Sequence, residues 1–111
     1  MKTVYNKLVR DDIPKHIRES GKTCHIVPLT THVYIMELKK KLCEEAQEVF
    51  DAIDQEDVIE ELGDVLEVID ALKDIYKIDG EKLKEAKDKK AKEKGRFEKR
   101  LFLQDVETED E

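Results

Sequence analysis

Tryptophan is absent from this chain of 111 residues, and aromatic side chains make up only 5% of it. Set beside 44% charged residues, that shortage suits long helices with solvated faces better than a sandwich of strands. No stretch approaches the roughly 20 apolar residues of a membrane span. Residues 1–14, MKTVYNKLVRDDIP, lack the apolar run of a signal peptide. The two cysteines, Cys24 and Cys43, have no CxxC spacing. They read as reduced thiols in a cytoplasmic protein. The three histidines, His16, His25 and His32, do not pair with cysteine at zinc-ligand spacing, which argues against a zinc site. Basic residues are outnumbered 21 to 28, a formal charge of −7. A duplex or an anionic membrane surface would repel that average, so neither nucleic acid nor membrane is an expected partner.

What is present is helical periodicity. No linker and no internal repeat interrupts the chain, and its length is about that of one domain. The expected organisation is a single all-α domain over residues 1–103 and an acidic, frayed tail over 104–111. A core this small is often completed by self-association. Residues 1–10 read as irregular. Pro14 opens a short helix to about Ser20, with Gly21 as its stop. Thr30 or Thr31 caps a long helix to about Asp54. Residues 54–57 read as a tight connection or a shared helix end. A second long helix runs from about Asp57 to Lys77 and is broken at Asp79-Gly80. A lysine-rich helix covers about Glu81 to Lys94, stopped by Gly95. Residues 23–27, rich in β-branched side chains and cut off by Pro28, predict a short edge strand. Its expected partner is the partly alternating segment 97–103.

On the first long helix, Ile35, Leu38, Leu42, Ala46, Val49 and Ile53 recur at helical spacing and share a face. At about 100° per residue, Glu45 falls at the edge of that stripe and Glu48 about 60° further round, while Glu44 points nearly opposite. On the second, Val58, Leu62, Val65, Leu66, Ile69 and Tyr76 form the main apolar face, flanked by Glu61. Asp64 continues a second stripe with Val68, Ala71 and Ile75. Apolar coverage on two sides predicts packing against more than one neighbour, the second being another subunit. Gly63, between Glu61 and Asp64, costs about 1 kcal/mol in a helix interior. Close approach of a backbone or ligand would account for it.

Carboxylates at i and i+3 lie on nearly the same side of a helix. Two such pairs, Glu45/Glu48 and Glu61/Asp64, converge if the helices are antiparallel neighbours. Converging part-buried charges repel, and a hard cation with oxygen ligands resolves the conflict. Twelve acids lie between Glu44 and Asp70, so on composition alone a solvated acidic face is the simpler reading.

Glu44-Glu45-Ala46-Gln47-Glu48, then twelve residues, then Glu61-Leu62-Gly63-Asp64 resembles the ExxE…ExxD signature of the MazG-like all-α nucleoside triphosphate pyrophosphohydrolase superfamily. The segments Tyr5-Asn6-Lys7-Leu8-Val9-Arg10-Asp11 with Ile13-Pro14, and Lys94-Gly95-Arg96-Phe97-Glu98-Lys99-Arg100, resemble its house-cleaning branch for non-standard nucleotides, related to phosphoribosyl-ATP pyrophosphohydrolase. Many members of that branch carry a basic residue where Asp12 stands here. The resemblance spans about residues 5–103. It implies a helical fold that forms a homodimer or higher oligomer around the acid-bearing helices. It also implies Mg²⁺-dependent cleavage of a nucleoside triphosphate to monophosphate and pyrophosphate, with Mn²⁺ as a substitute ion. By match, the metal ligands fall on Glu45, Glu48, Glu61 and Asp64.

Such a reaction needs an acceptor for the proton of water, either Glu48 or Glu45. Glu44 is left to orient water or support the ligands. The reaction also needs cations for the phosphate charge. Lys87, Lys90 and Lys94 share the face of Leu83 and Ala86, which is expected to point inward. They would either meet phosphate or cover apolar surface with their stems while the amines reach water. Arg96, Lys7 and Arg10 are further phosphate candidates, and ordinary surface pairing is the competing role for each. Three other functions compete: a phosphoribosyl-ATP pyrophosphohydrolase, a non-catalytic nucleotide- or metal-binding helical module, and a plain dimerisation module.

Overall fold

In a computed structural model that describes residues 1–109, every regular element is a helix. The four are α1 (Ile13–Glu19), α2 (Thr31–Asp51), α3 (Gln55–Tyr76) and α4 (Gly80–Lys94). The chain divides into two compact units, Met1–Lys77 and Ile78–Glu111.

In the first unit, α2 and α3 pack against each other. They are joined by three residues, Ala52, Ile53 and Asp54. α2 stops at Asp51, earlier than its apolar periodicity suggested, because Ala52 turns extended (ψ 138°). Asp54 is the reason the next helix starts where it does. Its side chain accepts from the Asp57 N–H at 2.9 Å, which satisfies one of the free donors at a helix start. Glu56 and Asp57 then place acids in the first turn, where the helix dipole favours them. α3 ends at Lys77, which adopts a left-handed conformation (φ 56°, ψ 44°).

α1 carries Pro14 in its first turn. It ends at Ser20, and Gly21, at φ +87°, supplies a conformation that costs other residues strain. In the second unit, Asp79 accepts from the Glu81 N–H at 2.9 Å to start α4. Gly80 is therefore the first residue of α4 and not the breaker of α3. Gly95, at φ +85°, ends it.

The expected two-stranded element does not form. Residues 23–27 and 97–103 contain no strand. Arg100 takes a left-handed φ of 58° and its N–H donates to the Phe97 carbonyl at 3.3 Å, so a turn interrupts the second segment. An isolated two-stranded ribbon would also be marginal in water. Residues 101–109 have no regular structure and are exposed. The last two residues of the expected acidic tail, 110 and 111, lie outside the described residues.

The interior is thin. Leu38 and Val68 are the buried apolar side chains among the described residues. The stripe of α3 that faces α2 is the one holding Glu61, Asp64, Val68, Ala71 and Ile75, all at least partly covered. Half of the stripe expected to be the main apolar face is open: Leu62, Leu66 and Tyr76 are exposed, as is Ile59 beside them, while Val58, Val65 and Ile69 are partly covered. Among the described residues, α3 therefore buries its acid-bearing side within the hairpin and leaves much of its more apolar side exposed. Gly63 lies near that open side, and a Cβ there would meet nothing within 4 Å, so no group of the described chain accounts for the glycine.

Candidate metal centre

The pairing of α2 with α3 sets Glu45 and Glu48 against Glu61 and Asp64. One carboxylate oxygen from each lies within 4.8 Å of the other three. The short connection makes the helices run in opposite directions, which is what lets two i, i+3 pairs meet. Burial differs among them. Glu45 is buried at 8% exposure, deeper than the stripe edge expected for it. Glu61 and Asp64 are half-buried and Glu48 is exposed.

The cluster is electrostatically unfinished. Glu45 Oε2 and Glu61 Oε2 are buried and have no hydrogen-bond partner. Leaving buried acceptors unmet costs roughly 1–3 kcal/mol each, and more when they are charged. Two of the acids hold their protons more tightly than a free carboxyl would. The Glu61 carboxyl is pushed up to about 7, first by a side-chain hydrogen bond with Glu48 and then by burial and the charges of Glu48, Asp64 and Glu45. Glu45 is also raised, chiefly by burial and next by the charge of Glu48, with Lys41 pulling the other way. An all-oxygen donor set with two orphaned buried oxygens fits a hard divalent cation.

Two cations of the same unit touch the cluster. Arg10 Nη2 donates to Asp64 Oδ1 at 2.8 Å. Lys41 Nζ stands 3.6 Å from Glu45 Oε1 and 3.9 Å from Glu44 Oε2. Lys41 was not among the residues singled out from the sequence. Its signal was its place one turn before Glu45, the i, i+4 position at which opposite charges meet. A shallow hollow at the connection end of the hairpin is lined by Glu48, Asp51, Ala52, Asp57 and Glu61, so the exposed edge of the cluster opens to solvent there.

The remaining candidates stand elsewhere. Lys7 lies over the Tyr5 ring, 5.7 Å from its centre. In the second unit Lys87, Lys90 and Lys94 are exposed, as are Leu83 and Ala86. The partly covered residues of α4 are Asp88 and Ala91, so the face expected to point inward is not the covered one. Arg96 Nη2 approaches Asp88 Oδ1 at 3.8 Å. Asp88 also accepts from Lys84 Nζ at 2.9 Å, and that bond is the main reason its carboxyl sits below the usual range. Among the described residues, no helix is long and apolar enough to cross a membrane. Both cysteines are free.

Compared with known proteins, residues 35–96, more than half of the chain, match the family model of the MazG nucleotide pyrophosphohydrolase domain. No curated protein matches, and no solved structure does either.

Proposed function

The chain belongs to the MazG nucleotide pyrophosphohydrolase family, and on that premise we propose that it hydrolyses a nucleoside triphosphate to the monophosphate and pyrophosphate with Mg²⁺ held by Glu45, Glu48, Glu61 and Asp64. The observation that carries the metal is the pair of buried, unpartnered oxygens, Glu45 Oε2 and Glu61 Oε2, inside a ring of four carboxylates. When bound, a divalent cation neutralises phosphate charge and lowers the pKa of water beside it. Mn²⁺ has the same preference for oxygen ligands and is the expected substitute.

The chain's own residues divide the remaining work. Glu45, buried and braced by Lys41, and Asp64, tied to Arg10, are held ligands. Glu48 is the exposed member and faces solvent, which suits it to take a proton from the attacking water. Water adds across the α–β anhydride. Its oxygen stays with the phosphorus it attacks, the bridging P–O bond breaks, and its proton passes to the carboxylate. Arg10 offers a guanidinium fork to phosphate oxygens. The match to the house-cleaning branch favours non-standard nucleotides as substrates, in the cytoplasm, where the free cysteines stay reduced. The open apolar side of α3 favours a second copy as its cover.

Incubating the protein with standard and damaged nucleoside triphosphates, and separately with phosphoribosyl-ATP, in the presence of Mg²⁺ tests this reading. Pyrophosphate release from at least one free triphosphate is expected. Cleavage of phosphoribosyl-ATP alone moves the function to that substrate. No release from any of them rejects hydrolysis and leaves a binding module.

A further inference from the structure

We propose that Arg10 is a charge-exchange residue: it holds Asp64 while no cation is present and turns to the substrate's phosphates once a divalent cation takes that carboxylate. The inference rests on the metal reading above and adds to it a regulated order of contacts.

The two cations at the cluster are not equivalent. Lys41 sits on α2, one helical turn before the residue it pairs with, and only 22% of its side chain is exposed. Its ammonium has little room to leave. Arg10 comes from the irregular segment that precedes α1, and 58% of its side chain is exposed. Its carbonyl accepts from the Ile13 N–H at 3.1 Å, which ties the Arg10 backbone to the start of α1. The anchored backbone keeps the guanidinium at the cluster while the side chain retains freedom to swing.

Charge balance supplies the driving force. With all four carboxylates ionised, Lys41 and Arg10 leave two negative charges, the complement of one divalent cation. Asp64, one of the four carboxylates that would hold a cation, already accepts from Arg10 at Oδ1. A cation at Asp64 therefore competes with Arg10 and is repelled by it. The bond uses one donor of the five that arginine has, so Arg10 has further N–H groups for a phosphate chain arriving beside Asp64. In this scheme Arg10 weakens binding of the bare cation and strengthens binding of the cation together with phosphate.

Isothermal titration of the full chain at pH 8 tests this with two probes, Mg²⁺ alone and inorganic pyrophosphate in saturating Mg²⁺. An exposed ion pair of this kind is worth about two- to five-fold in affinity. Arg10→Gln should therefore bind Mg²⁺ alone about two- to five-fold more tightly than the wild type. It should bind Mg²⁺-pyrophosphate roughly tenfold more weakly, the loss of one charge-assisted contact. Arg10→Lys keeps the charge without the fork, so its Mg²⁺ affinity should stay near the wild type while pyrophosphate binding falls between the two. A merely structural Arg10 would weaken both ligands together, or neither. Equal or weaker Mg²⁺ binding by Arg10→Gln, or unchanged pyrophosphate binding, overturns the exchange. Absence of Mg²⁺ binding by the wild type overturns the metal reading itself.

Discussion

Replacing Glu45 by glutamine separates a metal ligand from a packing residue, because the two roles predict opposite signs. Glu45 is buried, and its carboxylate stands within 4.8 Å of three others. Two like charges at that distance repel by about 1 kcal/mol in bulk water and about 3 kcal/mol at an effective dielectric constant of 20. Against three repulsions stands one attraction, from Lys41 Nζ at 3.6 Å. Glutamine keeps the shape and removes the charge. One repulsion and the lost attraction roughly cancel, which leaves a gain of about 2 kcal/mol at the water-screened limit. For a domain of this length that is a rise of roughly 5–10 °C in Tm. Calorimetry at pH 8 in a chelator should show Glu45→Gln melting above the wild type by that amount. Added Mg²⁺ at ten times its Kd should stabilise the wild type by about 1.4 kcal/mol and the variant hardly at all. If the variant melts below the wild type in chelator and keeps its full response to Mg²⁺, the cluster is not a metal site and Glu45 is there for packing.

Three further outcomes follow from the same structure. Leu38 is 3% exposed in a hairpin with few buried side chains, so Leu38→Ala should cost about 2–5 kcal/mol in chemical denaturation. Glu61, raised from 4.5 to about 7, binds its proton more tightly folded than unfolded. Its stabilising contribution is therefore complete below pH 4.5 and is lost as pH rises through about 7. Metal-free protein should accordingly lose stability from pH 6 to 8, while Mg²⁺, which must displace that proton, should bind more tightly over the same range. A metal affinity flat across it would count against Glu61 as a ligand. Leu66 is 60% exposed on the open side of α3. If a second copy covers it, Leu66→Asp should shift the wild-type oligomer to monomer in sedimentation analysis and make Tm independent of concentration.

The helices and their acids were legible because both depend on local spacing. The ExxE and ExxD pairs are visible in the chain, and an antiparallel hairpin is the simplest way to join two long helices over a short gap. The side of α3 that meets α2 was not legible. Two apolar stripes compete on that helix, and the richer one, with Leu62 and Leu66, lies outside the hairpin. The poorer stripe is the one that packs, with Val68 buried between Asp64 and Ala71. The end of α2 was misplaced by about one turn. Ile53 continues the periodicity, yet Asp54 is better used as a cap through its bond to Asp57. The strand expected at 97–103 rested on alternation alone, and the left-handed Arg100 breaks it. Arg10 and Asp64 are 54 residues apart, and their meeting depends on how the segment before α1 lies against α3. No local pattern reports that.

The central claim is that Glu45, Glu48, Glu61 and Asp64 together hold the cation that serves a nucleotide's phosphates. Anomalous diffraction from crystals grown with Mn²⁺ and an α,β-nonhydrolysable nucleoside triphosphate tests it most directly. The account predicts a manganese peak bounded by those four carboxylates, with phosphate oxygens completing its coordination. A peak bound by other residues, or phosphates seated away from α2 and α3, would contradict it.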